Sequence, residues 1–421
     1  MTDHRPSPVP VLKDLLWSST PRKLVTIVII GLFIRYFVGL FFTYPTDINY
    51  WVLVTENYIS GADMFSLPGY YYTPVWGYFL SVISAIAGFT GIPLGEYVPD
   101  LVAGSMAMDW KITLPSLSYA LLVKSFLFLF DVLAAIVLYR IGRVVFDEKR
   151  AILMFAVWFL CPFTIIISSI RIMFENLEIL FMLLSLLMML KRRPAWAGVM
   201  MGLSLMTKPY GMFLAILMMG YSYAQARSVK YTVTYVVTTL VAGLSVMIPI
   251  LLSGQLDESL IWLTSRAGSG GSGYSVSLYL MPSLVVIAVV ISFLMAFFRK
   301  DSFDLLVGAG MILAAGMLII PGNIQYYLLL LPFLLMVRSR WVYPAMFMFM
   351  CISVCSFISF STWSSVLYVN TGYWGSGVLD IFTDILWPID STIAYDDLKT
   401  VTALAVILAP VATYLRGVAN D

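Results

Sequence analysis

Apolar runs of about 20 residues recur along the whole chain with short polar breaks between them, and a helix needs roughly 20 such residues to cross about 30 Å of hydrocarbon. They fall at about 24–43, 116–139, 151–169, 174–190, 195–207, 209–224, 231–252, 276–298, 303–320, 322–337, 341–360 and 400–416. This predicts an all-α polytopic membrane protein with about twelve transmembrane helices. The two runs flanking Lys208 are short for relaxed spans and read equally as one re-entrant hairpin. A further apolar segment, 74–91, opens at Pro74 and closes at Gly91-Ile92-Pro93. It is expected to be a juxtamembrane helix in the first outer loop, because a full crossing there would invert every later loop.

Basic residues set the sidedness. The positive-inside rule places Arg140, Arg143, Lys149 and Arg150 on the cytoplasmic side, followed by Lys191-Arg192-Arg193, Arg227 with Lys230, Arg299-Lys300, and Arg338 with Arg340. The opposite side receives 44–115, the turn near 170–175, Lys208, loop 253–275, Pro321-Gly322-Asn323 and loop 361–398. Isolated charges gather there (Asp47, Glu56, Glu175, Lys208 and Arg266), so this is the candidate active face. The expected organisation is a cytoplasmic tail (1–23), a retained first helix (24–43), an outer active-site loop (44–115), a transmembrane bundle (116–340) and C-terminal helices with outer loop 361–398 (341–421). The glycine- and serine-rich stretch 268–273 reads as a flexible outer loop.

Composition narrows the chemistry. Of 421 residues, 61% are hydrophobic and 11% charged, far from the roughly 25% charged of a soluble domain. Twenty-five Lys and Arg against 23 Asp and Glu give a formal charge of +2, which offers no basic surface for nucleic acid. The single histidine, His4, lies in the polar tail, excluding histidine-ligated zinc and histidine-based triads. Cys161, Cys351 and Cys355 lie in apolar runs and read as small core residues. Catalysis must therefore use carboxylates, amides, lysine, arginine or tyrosine.

Asp47, in Thr46-Asp47-Ile48-Asn49-Tyr50, is read as a general base, as a divalent-cation ligand (Mg2+ or Mn2+) with Asn49 beside it, or as the N-cap of segment 47–60. Tyr70-Tyr71-Tyr72 fits a sugar face or an interfacial belt. Glu175 and Glu178 share a helix face, with Asn176 between them and Arg171 in reach of Glu175 either as a structural ion pair or as a substrate-binding pair. Lys208, before Pro209 and Tyr210, stands where a helix must break and reads as an anion ligand. Arg266 offers a guanidinium to phosphate oxygens or a rim salt bridge to Asp257 or Glu258. Asn323 and Gln325, in Pro321-Gly322-Asn323-Ile324-Gln325-Tyr326, can bond hydroxyls without charge or cap the start of the following helix.

In this order the pieces resemble the GT-C superfamily of polyprenyl-phosphate-sugar glycosyltransferases, most closely the PIG-M-like catalytic subunits of GPI mannosyltransferase. The likeness rests on Thr46-Asp47-Ile48-Asn49-Tyr50 with Tyr72-Thr73-Pro74, Pro162 through Glu175, Lys208-Pro209-Tyr210, Arg266 with Tyr274-Ser275-Val276-Ser277, and Gln325-Tyr326 before Leu331-Pro332. It implies a GT-C-like fold with Asp47 as catalytic base. It also implies donor-phosphate contacts at Lys208 and Arg266, and substrate contacts at Asn49, Tyr72, Arg171, Glu175, Asn176, Tyr210, Gln325 and Tyr326. Where the family carries Asp-x-Asp, this chain has Asn49 in the second position. The implied partners are a dolichyl- or polyprenyl-phosphate-linked sugar, most simply mannose, a lipid-linked or glycan acceptor, membrane lipid and, in some cases, a partner subunit. A prokaryotic cell membrane fits the compact tails, the endoplasmic reticulum being the alternative. The competing readings are a transporter or flippase for lipid-linked sugars and a non-catalytic scaffold subunit of the same fold.

Overall fold

The structure is a computed structural model and describes residues 19–65, 73–97, 113–254, 274–298, 303–319, 324–338, 342–371, 376–393 and 398–408. Its helices are α1 (Ser19–Phe41), α2 (Pro45–Ile59), α3 (Pro74–Thr90), α4 (Leu117–Val145), α5 (Glu148–Leu160), α6 (Pro162–Ile165), α7 (Glu175–Leu190), α8 (Pro194–Leu205), α9 (Met212–Ala226), α10 (Val229–Leu252), α11 (Tyr274–Phe297), α12 (Phe303–Ile319), α13 (Leu330–Met336), α14 (Val342–Thr371) and α15 (Ser376–Asp390). Leu398–Leu408 adds α16. Two short strands, β1 (Gly95–Tyr97) and β2 (Thr113–Pro115), pair antiparallel. The chain is an all-α membrane protein.

Proline sets many of the starts. Pro45, Pro74, Pro162 and Pro194 each occupy the first turn of a helix, where a missing N–H costs nothing. α3 ends at Gly91 in the left-handed region, φ 64°, which glycine adopts without strain.

The expected tally of about twelve spans is not what the described helices present one by one. Four are long and apolar enough to cross a membrane: Thr20–Phe41, Leu117–Val145, Val229–Leu252 and Val342–Thr362. Glu148–Leu160 with Pro162–Ile170 makes a fifth candidate, bent by 44°. Several of the other apolar runs form shorter helices, among them α3, α8, α12, α13 and α16, while α11 extends over 24 residues. α7 lies at the centre, buried along nearly its whole length, as expected of a helix apolar on every side.

α8 packs closely on α10. A Cβ on Gly202 would stand 2.5 Å from the Thr239 carbonyl oxygen and 3.0 Å from the Gly243 nitrogen. Gly198 and Gly202 thus form a small-xxx-small contact, the kind that lets helix backbones approach in a membrane. Gly202→Val is expected to destabilise the fold by about 1–3 kcal/mol, seen as earlier thermal unfolding of the detergent-solubilised protein. An unchanged melting curve would show that the α8–α10 contact is not close.

Two arginines bind the other end of the bundle. Arg150 Nη2 donates to the carbonyls of Leu335 (3.1 Å) and Val337 (3.0 Å) at the end of α13. Arg338 Nη2 donates to the Val145 carbonyl (3.1 Å) at the end of α4. Each arginine satisfies orphan carbonyls of the helix that precedes the other.

Candidate functional site

The site is assembled at the opposite end of α4 from those arginines. There α1 gives way to α2, and three interrupted stretches of chain meet: the turn before α7, the break between α8 and α9, and the short 3-10 helix Ile324–Leu329.

Asp47 sits in the first turn of α2. The N-cap is Tyr44, with no side-chain cap bond, so Asp47 is inside the helix and the N-cap reading of the sequence does not hold. A carboxylate here is favoured by the helix dipole. Asn49, two residues on, has a buried Oδ1 without a hydrogen-bond partner.

The break at Lys208 is held from several sides. The Thr73 hydroxyl donates to the Thr207 carbonyl, and the Val75 N–H donates to the Met206 carbonyl at 3.2 Å. The Ser204 hydroxyl donates to the Glu178 carbonyl at 3.0 Å, while Glu178 Oε1 accepts the Gly211 N–H at 2.7 Å. The start of α3 is therefore tied to the Lys208 segment, and two motifs 130 residues apart become neighbours. Glu178, the deepest of the acidic candidates, fixes the start of α9. Glu178→Ala is expected to cost about 1–3 kcal/mol of stability by orphaning the Gly211 N–H, with Glu178→Gln, which keeps an acceptor, nearer the parent in thermal unfolding. Equal losses in both variants would show that the charge, not the acceptor, matters.

Lys208 Nζ donates to Glu175 Oε1 in an ion pair and stands 4.4 Å from the centre of the Phe174 ring. The sequence had offered Arg171 as the partner of Glu175; the carboxylate instead turns to Lys208, which the broken helix delivers to it. Burial works against the lysine charge, and the Glu175 carboxylate, the Tyr326 hydroxyl and Asp47 outweigh it, holding Lys208 above the usual lysine range. Tyr210 packs against Tyr326 with ring centres 4.1 Å apart. Phe174 stacks parallel on Trp76 at 4.6 Å, and Trp76 lies 4.9 Å from Trp51. A wall of three aromatic rings thus runs from α2 to Lys208.

Arg171 follows a π turn, Ile166–Ile170, and precedes Ile172, whose φ of 55° is a strained backbone for a β-branched residue. Its Nη2 donates to Gln325 Oε1 at 2.9 Å. Asn176 is turned away from this group, its Nδ2 donating to the Leu127 carbonyl at 2.7 Å and so bracing α7 against α4. Beneath Tyr210 and Gly211 a small cavity is lined by apolar side chains including Phe213, Met317 and Phe333.

The structure therefore brings together Glu175, Lys208, Tyr210 and Tyr326, with Arg171 and Gln325 as a pair and Asp47 in the first turn of α2 at the same end of the bundle. Tyr72 and Arg266 lie outside the described residues, as does the 268–273 loop. Among the described residues no three His, Cys, Asp or Glu side chains converge as a metal site; Asn49 in place of a second carboxylate leaves a weak donor set for Mg2+ or Mn2+, and no step below passes through a metal.

Sequence reasoning overlooked three buried charges that support the site. Lys124 Nζ, on α4, donates to the carbonyls of Gly39 (2.6 Å) and Phe42 (3.0 Å) and to Thr43 Oγ1 (2.7 Å), capping the end of α1 just before Asp47. Arg35 and Asp131 form a fully buried ion pair at 3.1 Å. All three lie inside apolar runs, where an isolated charge in a predicted span was itself the available signal.

The sequence matches no protein-family model and no curated protein. Among solved structures it is similar to the apo-form oligosaccharyltransferase of Archaeoglobus fulgidus, with 14% sequence identity over 92% of this chain and a TM-score of 0.40. The match spans 56% of the length of that archaeal chain.

Proposed function

We propose that this chain is a membrane glycosyltransferase of the GT-C type. It moves a sugar, mannose by the resemblance of its motifs, from a dolichyl- or polyprenyl-phosphate donor to a lipid-linked or glycan acceptor at the extracytoplasmic or lumenal face. One observation carries the reading: the broken helix delivers Lys208 into an ion pair with Glu175 and to 5.9 Å from the Tyr326 ring centre, at the end of the bundle where Asp47 opens α2. A base and a cation within one electrostatic neighbourhood are what a single displacement at a sugar phosphate requires.

In that displacement the Asp47 carboxylate takes the proton of the acceptor hydroxyl as the acceptor oxygen bonds to the anomeric carbon. The bond from that carbon to the phosphate oxygen breaks, its electron pair leaves on the lipid phosphate, and the configuration inverts. Lys208 and, by resemblance, Arg266 face the departing charge. The fully buried rings of Trp51, Trp76 and Phe174 hold α2 and α3 against the Lys208 segment and so fix the spacing of base and cation. The test is transfer of radiolabelled mannose from synthetic polyprenyl-phosphate mannose into a membrane lipid or glycan extract by the purified protein. Product that appears with the parent and is lost with Asp47→Asn supports the reading. Absence of transfer by the parent, with the donor bound, would overturn it in favour of a transporter or scaffold.

A further inference from the structure

The described part of the chain buries four basic side chains, and three of them are accounted for. Arg35 is paired with Asp131 and Lys208 with Glu175, while Lys124 spends its donors on three oxygens. Arg171 is different. It is 6% exposed, yet among the described residues no carboxylate pairs with it; its one side-chain hydrogen bond goes to the neutral amide of Gln325, and its Nε is buried with no partner. The guanidinium sits in the corner formed by the rings of Tyr44 and Phe360, 4.7 and 4.8 Å from their centres, the two rings meeting edge to face at 5.6 Å. A buried cation without a counter-charge is unfavourable, and contact with the rings orients the group without neutralising it.

The backbone that presents it is also costly. The π turn Ile166–Ile170 precedes Arg171 and the left-handed Ile172 follows. The Arg171 N–H is tied to the Ile166 carbonyl (2.9 Å), and the Tyr44 N–H to the Ile170 carbonyl (2.7 Å). Irregularities of both kinds gather where a protein holds a side chain for a ligand.

We infer that Arg171 is the principal phosphate-binding group of this site, oriented by Gln325 and the corner of the Tyr44 and Phe360 rings, and that it takes the phosphate of an isoprenyl-phosphate lipid. The inference rests on the function proposed above and goes beyond it in one respect. A sugar phosphodiester carries one negative charge and the monoester it leaves behind gains another, so transfer demands a cation that is not already countered. Lys208 shares its charge between Glu175 and the departing group, whereas among the described residues no carboxylate counters Arg171, and its planar fork matches two phosphate oxygens at once.

The test is isothermal titration of a short-chain isoprenyl phosphate into the full-length protein in phosphatidylcholine nanodiscs, with the matching isoprenol, inorganic phosphate and phosphatidylglycerol discs as comparison arms. Arg171→Met is expected to weaken isoprenyl-phosphate binding by about tenfold or more and to leave isoprenol binding unchanged. Arg171→Lys, which keeps the charge and loses the fork, is expected to fall between, and it carries the test if the Met variant does not fold. Parent-like affinity in a folded Arg171 variant overturns the inference. Inorganic phosphate binding as tightly as the isoprenyl phosphate, or loss of the Arg171 dependence in phosphatidylglycerol discs, would reassign the site to free or headgroup phosphate and overturn the isoprenyl assignment. Binding requires no sugar transfer, so the two readings fail separately: Arg171-dependent binding without mannose transfer overturns only the proposed reaction, and transfer that survives Arg171→Met overturns only this inference.

Discussion

Asp47→Asn is expected to lower sugar transfer by about 10²–10⁴-fold, the usual contribution of a general base, while donor affinity and folded yield stay close to the parent. Asparagine keeps the shape of the side chain and loses only its basicity. The helix that carries it begins at Tyr44 without a side-chain cap, so the carboxylate is not what starts α2. The nearest described carboxylates are already committed, Glu175 to Lys208 and Glu178 to the Gly211 N–H. Initial rates over a range of labelled donor would separate the two parameters: a base acts in the transition state, so kcat should fall with KM nearly unchanged. A raised KM with an intact kcat would instead make Asp47 a binding residue, and a variant as fast as the parent would remove it from the chemistry.

How far the site was legible depends on how its parts are encoded. Helix starts at Pro45, Pro74, Pro162 and Pro194, and the break at Lys208-Pro209, are local consequences of a ring that fixes φ and removes a donor, so they can be read directly. Asp47 and Lys208 stand out because a charge beside an apolar run needs a reason. Which charge meets which is not local. Glu175 had Arg171 four residues away, a spacing that favours contact on a regular helix, but the π turn and the left-handed Ile172 destroy that regularity and swing the arginine toward Gln325, 154 positions downstream. The ring wall was equally hidden, since single residues such as Trp51, Trp76 and Phe174 inside apolar segments look like any core aromatic. The number of spans is likewise not fixed by apolar runs alone. A hydropathy run records apolar length, whereas the 16-residue α7 is apolar through central burial and does not by itself reach the length of a relaxed crossing.

The other large effect is expected far from any proposed substrate. Arg35→Met should destabilise the protein by about 3–5 kcal/mol, because it leaves Asp131 as an uncompensated buried charge. The arginine does more than pair. Pro162 has no N–H, so α5 cannot continue, and the carbonyls of its last turn need other donors. The Thr164 hydroxyl donates to the Trp158 carbonyl at 2.8 Å, Arg35 Nη1 donates to the Phe159 carbonyl at 2.6 Å, and Arg35 Nη2 reaches Thr164 Oγ1 at 3.2 Å. The ion pair thus holds the 44° bend from which the π turn, Arg171 and Glu175 follow. Arg35→Met should therefore lower the thermal unfolding temperature of the detergent-solubilised protein, and Arg35→Lys should lose less because it retains the charge. Adding Asp131→Leu to Arg35→Met should recover part of the loss, since an apolar pair of similar volume removes the stranded charge, but recovery should stop short of the parent because the Phe159 carbonyl remains without its donor. Full recovery in the double variant would show that the pair serves only itself. Parent-like melting of Arg35→Met alone would show that the bend stands without it.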